Sequence, residues 1–335
     1  MMELKEGKLN IDLLKELLKV LPISSKKVKV KPGPGADAAV VDIGDYFAVI
    51  TQDPITFTEK EIGYYSVMVN MNDVLCMGAK PLFYLFTLLI PKGKDVKEIK
   101  NIFMEISSVC RKYEISVIGG HTEITPGLTR FLISGTMIGL RDKKFGIFPK
   151  SVKEGDYLLC VKEVPIEGIS IIAKEKEKEL KKFVDERLLN KFKNYHRKPG
   201  IGIFREALLL LENKNVLALH DPTEGGIING IYEFCEFLNL GVLVYEDKIK
   251  VVKKTENIFK YFGIEPLKTI SSGALLAAVR KSGVNKVVEI LSSNKIKFNI
   301  IGEFKKKSYG RWLVKKDGKK EEIYSCQDDI SKIFD

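Results

Sequence analysis

Four aspartates stand where a chain presents carboxylates to a ligand, beside glycines or at the ends of apolar runs. Asp37 closes Gly33-Pro34-Gly35-Ala36-Asp37 just before an apolar run, and Asp53 follows Ile50-Thr51-Gln52. Asp73 ends Asn70-Met71-Asn72-Asp73, and Asp221 opens Asp221-Pro222-Thr223-Glu224-Gly225-Gly226. Magnesium takes hard oxygen ligands, usually a few carboxylates completed by phosphate oxygens. Carboxylates gathered at strand ends could therefore share metal ions that bridge a nucleotide's phosphates, the arrangement phosphoryl transfer uses. Taken alone, each aspartate is more ordinarily a turn or helix cap. Asn70 and Asp73 are the exception: they lie three apart on one face of an otherwise apolar helix, where polar groups need a reason.

Two further segments could meet a ligand. At Asp221, Pro222 suits a first helical turn, Thr223 can bond backbone amides, and Gly225-Gly226 permits close approach. Exposed amides and the helix dipole there would favour phosphate, although the same glycines equally allow tight packing. Ile118-Gly119-Gly120-His121-Thr122-Glu123 follows a predicted strand. His121 could orient a substrate, act as an acid or base, or be a hydrogen-bonded structural residue. The chain contains no G-x-x-x-x-G-K-[ST] phosphate loop, and no dinucleotide fingerprint fits. Spacing alone thus reaches a metal–phosphate site of low specificity.

The elements that must position these residues read as follows. Helical spacing predicts helices over 9–21, 61–77 and 95–113, and strands over 38–43, 47–51, 82–90, 115–118 and 131–140. Residues 141–150 are polar and are expected to hold a domain boundary. Beyond them come a strand at 157–162, a long charged helical region over 169–192, a helix at 200–211, and a helix after Asp221. That last helix should bury Ile227, Ile231, Phe234, Cys235 and Leu238 on one face. Strands near 242–245, 274–279 and 298–301 complete a layered α+β chain.

Composition narrows the class. The 335 residues suffice for two domains, and 45% hydrophobic content can supply two cores. No run reaches membrane-spanning length, and Met1-Met2-Glu3-Leu4-Lys5 lacks an apolar signal region, so a cytoplasmic protein is expected. Cys76, Cys110, Cys160, Cys235 and Cys326 form no C-x-x-C pair, which points to free thiols. The net charge is +11, but acids and bases are mixed without an arginine stripe, so nucleic acid is disfavoured as a partner. Two glutamines among many Lys, Glu and Ile suit a thermophile.

Taken in order, these segments resemble the PurM-like ATP-binding superfamily, which includes aminoimidazole ribonucleotide synthetase, selenophosphate synthetase, thiamine-monophosphate kinase and HypE. Gly35-Ala36-Asp37-Ala38-Ala39-Val40 looks like its G-D-D-A-A-V, with Ala36 for the first Asp. Thr51-Gln52-Asp53 looks like T-T-D, and Asn72-Asp73 with Met77-Gly78-Ala79-Lys80-Pro81 looks like the N-D…G-A-x-P helix end. Glu154-Gly155-Asp156, Ser272-Gly273 and Ile301-Gly302-Glu303 match the second domain, and Asp221–Gly226 looks like the D-P-T-R-G-G of HypE, with Glu224 for the Arg.

The resemblance implies an N-terminal domain, 1–145, that pairs with a second copy as a β-barrel in a homodimer. It implies a C-terminal α/β sandwich, 146–335, with ATP and Mg2+ in the cleft between domains. Asp37, Asp53, Asp73 and Asp221 are then the expected metal residues. Gly33, Gly35, Asn70, Gly120, Thr122 and Thr223 join them as expected nucleotide contacts, with His121 as the expected catalytic group. The expected activity is phosphorylation of an oxygen on a small-molecule or protein-bound substrate; the rival is a nucleotide-binding regulatory or maturation scaffold without catalysis. The HypE-like branch fits best, but the chain ends Lys332-Ile333-Phe334-Asp335 in place of that branch's Pro-Arg-Ile-Cys tail, and Cys326 lacks the tail's neighbouring motif.

Overall fold

The computed structural model describes residues 7–56 and 58–334. The N-terminal stretch at Met1–Lys5 lies outside them. The chain divides into two compact units. One holds Ile23–Lys31 and Asp37–Ile147; the other holds the described residues up to Pro22, Pro32–Ala36, and everything from Phe148 onward. The expected division near residue 145 therefore needs correcting at its N-terminal side, because the first helix and the Gly33–Gly35 turn cluster with the C-terminal unit.

That first helix, α1, runs Ile11–Leu18 and starts at Asn10, whose side chain accepts from the Asp12 and Leu13 amides. The N-terminal unit follows with β1 (Val28–Val30), β2 (Ala39–Asp42), β3 (Tyr46–Ile55), α2 (Ile62–Cys76), β4 (Lys80–Ile90), α3 (Val96–Lys112), β5 (Ser116–Ile124) and β6 (Leu132–Asp142). Its sheet order is β1-β2-β3-β6-β4-β5. Neighbours pair antiparallel except β4 and β5, which are parallel. Fourteen of the fifteen α2 residues are buried, Asn70, Asn72 and Asp73 among them, because the helix lies between the sheet and α3. α3 shows the opposite pattern, one apolar face and a capping box between Asp95 and Glu98.

Two strand expectations change here. Asp53 does not follow a strand but lies inside β3, opposite Gly135 of β6. Gly119–Glu123 likewise lies within β5, the sheet edge, all of whose residues are exposed.

The C-terminal unit contains β7 (Tyr157–Val161), α4 (Ile166–Glu175), α5 (Glu177–Leu180), α6 (Glu186–Lys193), α7 (Phe204–Leu211), β8 (Val216–His220), α8 (Gly226–Leu238), β9 (Gly241–Tyr245), α9 (Glu256–Phe262), β10 (Leu275–Val279), α10 (Val284–Ser293), β11 (Phe298–Lys305), β12 (Arg311–Val314) and β13 (Lys320–Glu322). Its sheet order is β13-β12-β9-β11-β7-β10-β8. The expected long helix over 169–192 is three short ones. Lys176 departs from helical dihedrals, and Asp185 restarts the chain by capping Leu188 at 2.8 Å. Its first part is not solvated: Ile166–Ala173 is buried, and the Lys/Glu alternation begins only after it. Ile227, Ile231, Phe234 and Cys235 of α8 enter the core as expected, with Leu238 packed against it. Among the described residues no helix is long and apolar enough to cross a membrane.

Candidate nucleotide and metal site

The buried polar face of α2 explains itself through β3. Asp73 is 6% exposed, and its Oδ2 lies 2.8 Å from the Thr51 hydroxyl. The same hydroxyl is 3.0 Å from the Asp37 carbonyl, so its one proton can serve either acceptor. A carboxylate oxygen of Asp37 in turn lies within 4.8 Å of Cys76 Sγ. Asp37, Thr51 and Asp73 are therefore brought together within the N-terminal unit, although they come from the turn before β2, from β3 and from α2.

Asn70 lies on α2 as expected and turns its side chain to backbone. Its side chain is fully buried. Its Oδ1 accepts the Asp53 amide at 2.9 Å, and its Nδ2 donates to the carbonyls of Ser66 at 2.8 Å and Asp53 at 3.3 Å. With its amide turned to backbone, Asn70 ties α2 to the Asp53 position of β3. Gly135 makes room for this: a Cβ there would meet Asn70 Nδ2 at 2.8 Å and the Tyr84 hydroxyl at 2.4 Å. Asp37, Asp53 and Asp73 carry hard carboxylate oxygens, the donor type Mg2+ takes, whereas the Cys76 thiol beside Asp37 is a soft donor.

Gly120, His121 and Thr122 stand elsewhere. β5 is three strand positions from β3, about 14 Å across the sheet. His121 is exposed, with Nε2 3.0 Å from Glu123 Oε2, and Thr125 donates to the other Glu123 oxygen at 2.8 Å. The His121 and Thr125 hydrogen bonds hold the Glu123 carboxyl below its ordinary range. Gly120 is required by packing, since a Cβ would fall 2.0 Å from the Phe86 carbonyl. Gly35 is likewise a contact glycine: its α-carbon sits so close to α8 that a Cβ would lie 2.1 Å from the Glu233 carbonyl. Gly33 accepts the Ala36 amide in the same turn.

In the C-terminal unit, Asp221 is buried and directly follows β8. The start of α8, expected to offer its amides to phosphate, already has an anion. Asp328 Oδ2 accepts the Gly225 amide at 2.7 Å and its Oδ1 accepts that of Ile330 at 2.8 Å. Burial still pushes the Asp328 carboxyl up to about 6. Cys326 sits in the same tail, with Sγ 3.5 Å from the Gly225 carbonyl, and burial pushes its thiol up to about 11. Thr223 is half-buried beside Lys8, whose Nζ lies 3.4 Å from its hydroxyl and 3.2 Å from Glu233 Oε1. Burial alone would raise the Glu233 carboxyl, but Lys8 and His220 outweigh it and hold the group at about 2.

Thr51, Lys8, Glu233, Glu167 and Asp328 are absent from the expected site. Thr51 had a usable signal, a hydroxyl directly after the apolar run over 47–50. The other four meet through contacts across most of the chain, which local spacing does not encode.

Two α+β units, one carrying a buried carboxylate–hydroxyl cluster between its helix and sheet, define the PurM-like class of fold. The sequence signatures of AIR synthase related proteins match residues 35–141 for the N-terminal domain and 153–315 for the C-terminal domain, and the chain belongs to that family. A protein of Methanocaldococcus jannaschii named for hydrogenase expression and formation is 28% identical over 91% of this chain and 90% of its own length. The structure of HypE in a HypE–HypF complex superposes with a TM-score of 0.73 at 19% identity, covering 94% of this chain and 99% of that one. HypE solved in complex with ATP gives 0.67 at 16% identity, covering 97% of each chain. Further relatives carry the names phosphoribosylformylglycinamidine cyclo-ligase, thiamine-monophosphate kinase and carbamoyl dehydratase HypE.

Proposed function

We propose that this chain is an ATP- and magnesium-dependent enzyme of the HypE-like branch that phosphorylates an oxygen of a small-molecule or protein-bound substrate. The observation that carries this reading is the Thr51–Asp73 contact: a buried carboxylate on an apolar helix, bonded to a hydroxyl and held beside Asp37, is a group that a bound cation would stabilise further. Asp37, Asp53 and Asp73 would hold Mg2+, which neutralises the charge of transferring phosphates when bound. Thr51 orients Asp73, and Asn70 fixes the backbone of Asp53. Asp221 and Thr223 are assigned to ligand binding in the C-terminal unit. The names of the relatives support ATP as the shared co-substrate. Isothermal titration of Mg-ATP against Asp73→Asn tests the assignment: affinity should fall strongly while the melting temperature holds, and unchanged affinity and turnover would remove the site.

We further propose a homodimer built on β5, whose nine exposed residues leave an open sheet edge with Val117, Ile118 and Ile124 uncovered. A second copy there would enclose His121 and Thr122, which gives His121 its acid–base or orienting role.

One observation favours the rival reading, a nucleotide-binding maturation scaffold without catalysis. Cys326, the only cysteine in the C-terminal tail, is tied to Gly225 with its thiol protonated, which is unsuited to accepting a carbamoyl group. Phosphate release separates the two: ATP bound without hydrolysis across a substrate panel selects the scaffold.

A further inference from the structure

Where HypE carries Arg in D-P-T-R-G-G, this chain carries Glu224, and the reversed charge is not isolated. Glu167 on α4 is 5% exposed, and its Oε2 has no hydrogen-bond partner among the described residues. Ser272 bonds Glu167, while Ser271 donates its amide to the Thr223 carbonyl at 3.2 Å. The Ser271-Ser272 segment before β10 thus ties Glu167 to the loop that bears Glu224. Asp328 reaches the next residue of that loop, Gly225, from the opposite side of the sequence. Burial opposes ionisation of Glu167 most, the charges of Asp328 and Glu224 add to it, and Ser272 and Lys174 work against them.

We propose that Glu224 and Glu167, backed by the fixed carboxylate of Asp328, form a recognition site for a cationic nitrogen group (ammonium, amidinium or guanidinium) on the substrate. The inference rests on the phosphoryl-transfer reading and adds to it a substrate class. A buried carboxylate oxygen without a donor is costly, and a group bearing several N–H donors satisfies it while neutralising its neighbours. A bare metal ion fits less well, because these three carboxylates do not close to within 4.8 Å of one another. An Arg at position 224 would fill the same space with a charge of the wrong sign, so the substitution changes which substrates are admitted.

The test is calorimetric titration of methylguanidinium and methylammonium chloride into the full chain, with Mg-ATP titrated in parallel. Saturable binding of at least one probe is expected, weakened about tenfold in Glu224→Gln and abolished in Glu224→Arg. Glu167→Gln provides a second variant should position 224 disturb the fold, and it should weaken the same probe. Absence of saturable probe binding to the wild type, or wild-type affinity in both Glu224→Gln and Glu167→Gln, overturns the inference. If Mg-ATP still binds in that case, the phosphoryl-transfer reading survives alone. If the probe binds and Mg-ATP does not, the cation site stands and the nucleotide reading falls.

Discussion

The Thr51 hydroxyl on β3 stands 2.8 Å from Asp73 Oδ2 on α2, and this contact joins two segments 22 residues apart into one polar group inside an apolar layer. Thr51→Val keeps the shape and removes the hydrogen bond. Mg-ATP affinity should fall several-fold with a small change in melting temperature, and in combination with Asp73→Asn the losses should not add. Additive losses by calorimetry would show that the two residues act separately.

Gly135→Ala should destabilise the protein by about 1–3 kcal/mol, the usual cost of overpacking a core. The new methyl group would run into Asn70 Nδ2 and the Tyr84 hydroxyl. Denaturant unfolding measures the loss, and hydrogen exchange at the Asp53 amide reports whether Asn70 has let go. A wild-type midpoint would mean the strand shifts at no cost.

Buried Glu167 gives stability a distinctive pH dependence. Burial first, then the charges of Asp328 and Glu224, push its carboxyl up to about 7 against the pull of Ser272 and Lys174. The ionised form is therefore disfavoured in the folded chain. Its stability contribution is complete below the ordinary value of 4.5 and declines as pH rises towards 7. Glu167→Gln removes that decline, so the variant should gain about 2–3 kcal/mol over wild type at pH 8 and little at pH 4. Parallel denaturation curves at the two pH values check this; an equal difference at both would contradict it.

Ile118→Lys places a charge on the uncovered edge of β5. Light scattering after size exclusion should show a dimeric wild type and a monomeric variant with an unchanged circular dichroism spectrum. A wild type that is monomeric at all concentrations removes the proposed interface.

Cys326→Ser should retain full activity and nucleotide affinity, and iodoacetamide should label the wild-type thiol slowly at pH 8, since few of its molecules are thiolate. Loss of turnover in the serine variant would restore a chemical role to this cysteine.

The sequence was most readable where local pattern and chemistry coincide. Asn70 and Asp73 on an apolar helix announced a polar task, and the structure divides it: Asp73 faces Thr51 and Asn70 faces the Asp53 backbone. The amphipathic faces of α8 and α3 were legible from their period. The charged helical region over 169–192 misled because alternating Lys and Glu describes a surface and hides the breaks at Lys176 and Asp185. Asp328, Glu167, Lys8 and Glu233 were illegible for another reason. Their partners lie up to 225 residues away, and a carboxylate in a polar tail carries no local mark of the helix it will cap. Gly35 and Gly120 looked like ligand glycines, yet each is required by a neighbouring backbone.

The grouping of α1 with the C-terminal unit sets a schedule for synthesis. Lys15 of α1 bonds Glu236 at 2.6 Å, a partner 221 residues downstream. At ordinary ribosomal rates the interval is on the order of tens of seconds. Residues 37–147 have their own sheet and core and can close in that time, whereas the nascent N-terminal helix has no surface to join until α8 has left the exit tunnel. A ribosome stalled before residue 233 would therefore carry a finished first unit and an unmoored leading helix, a species that proteases and chaperones can distinguish from the completed chain.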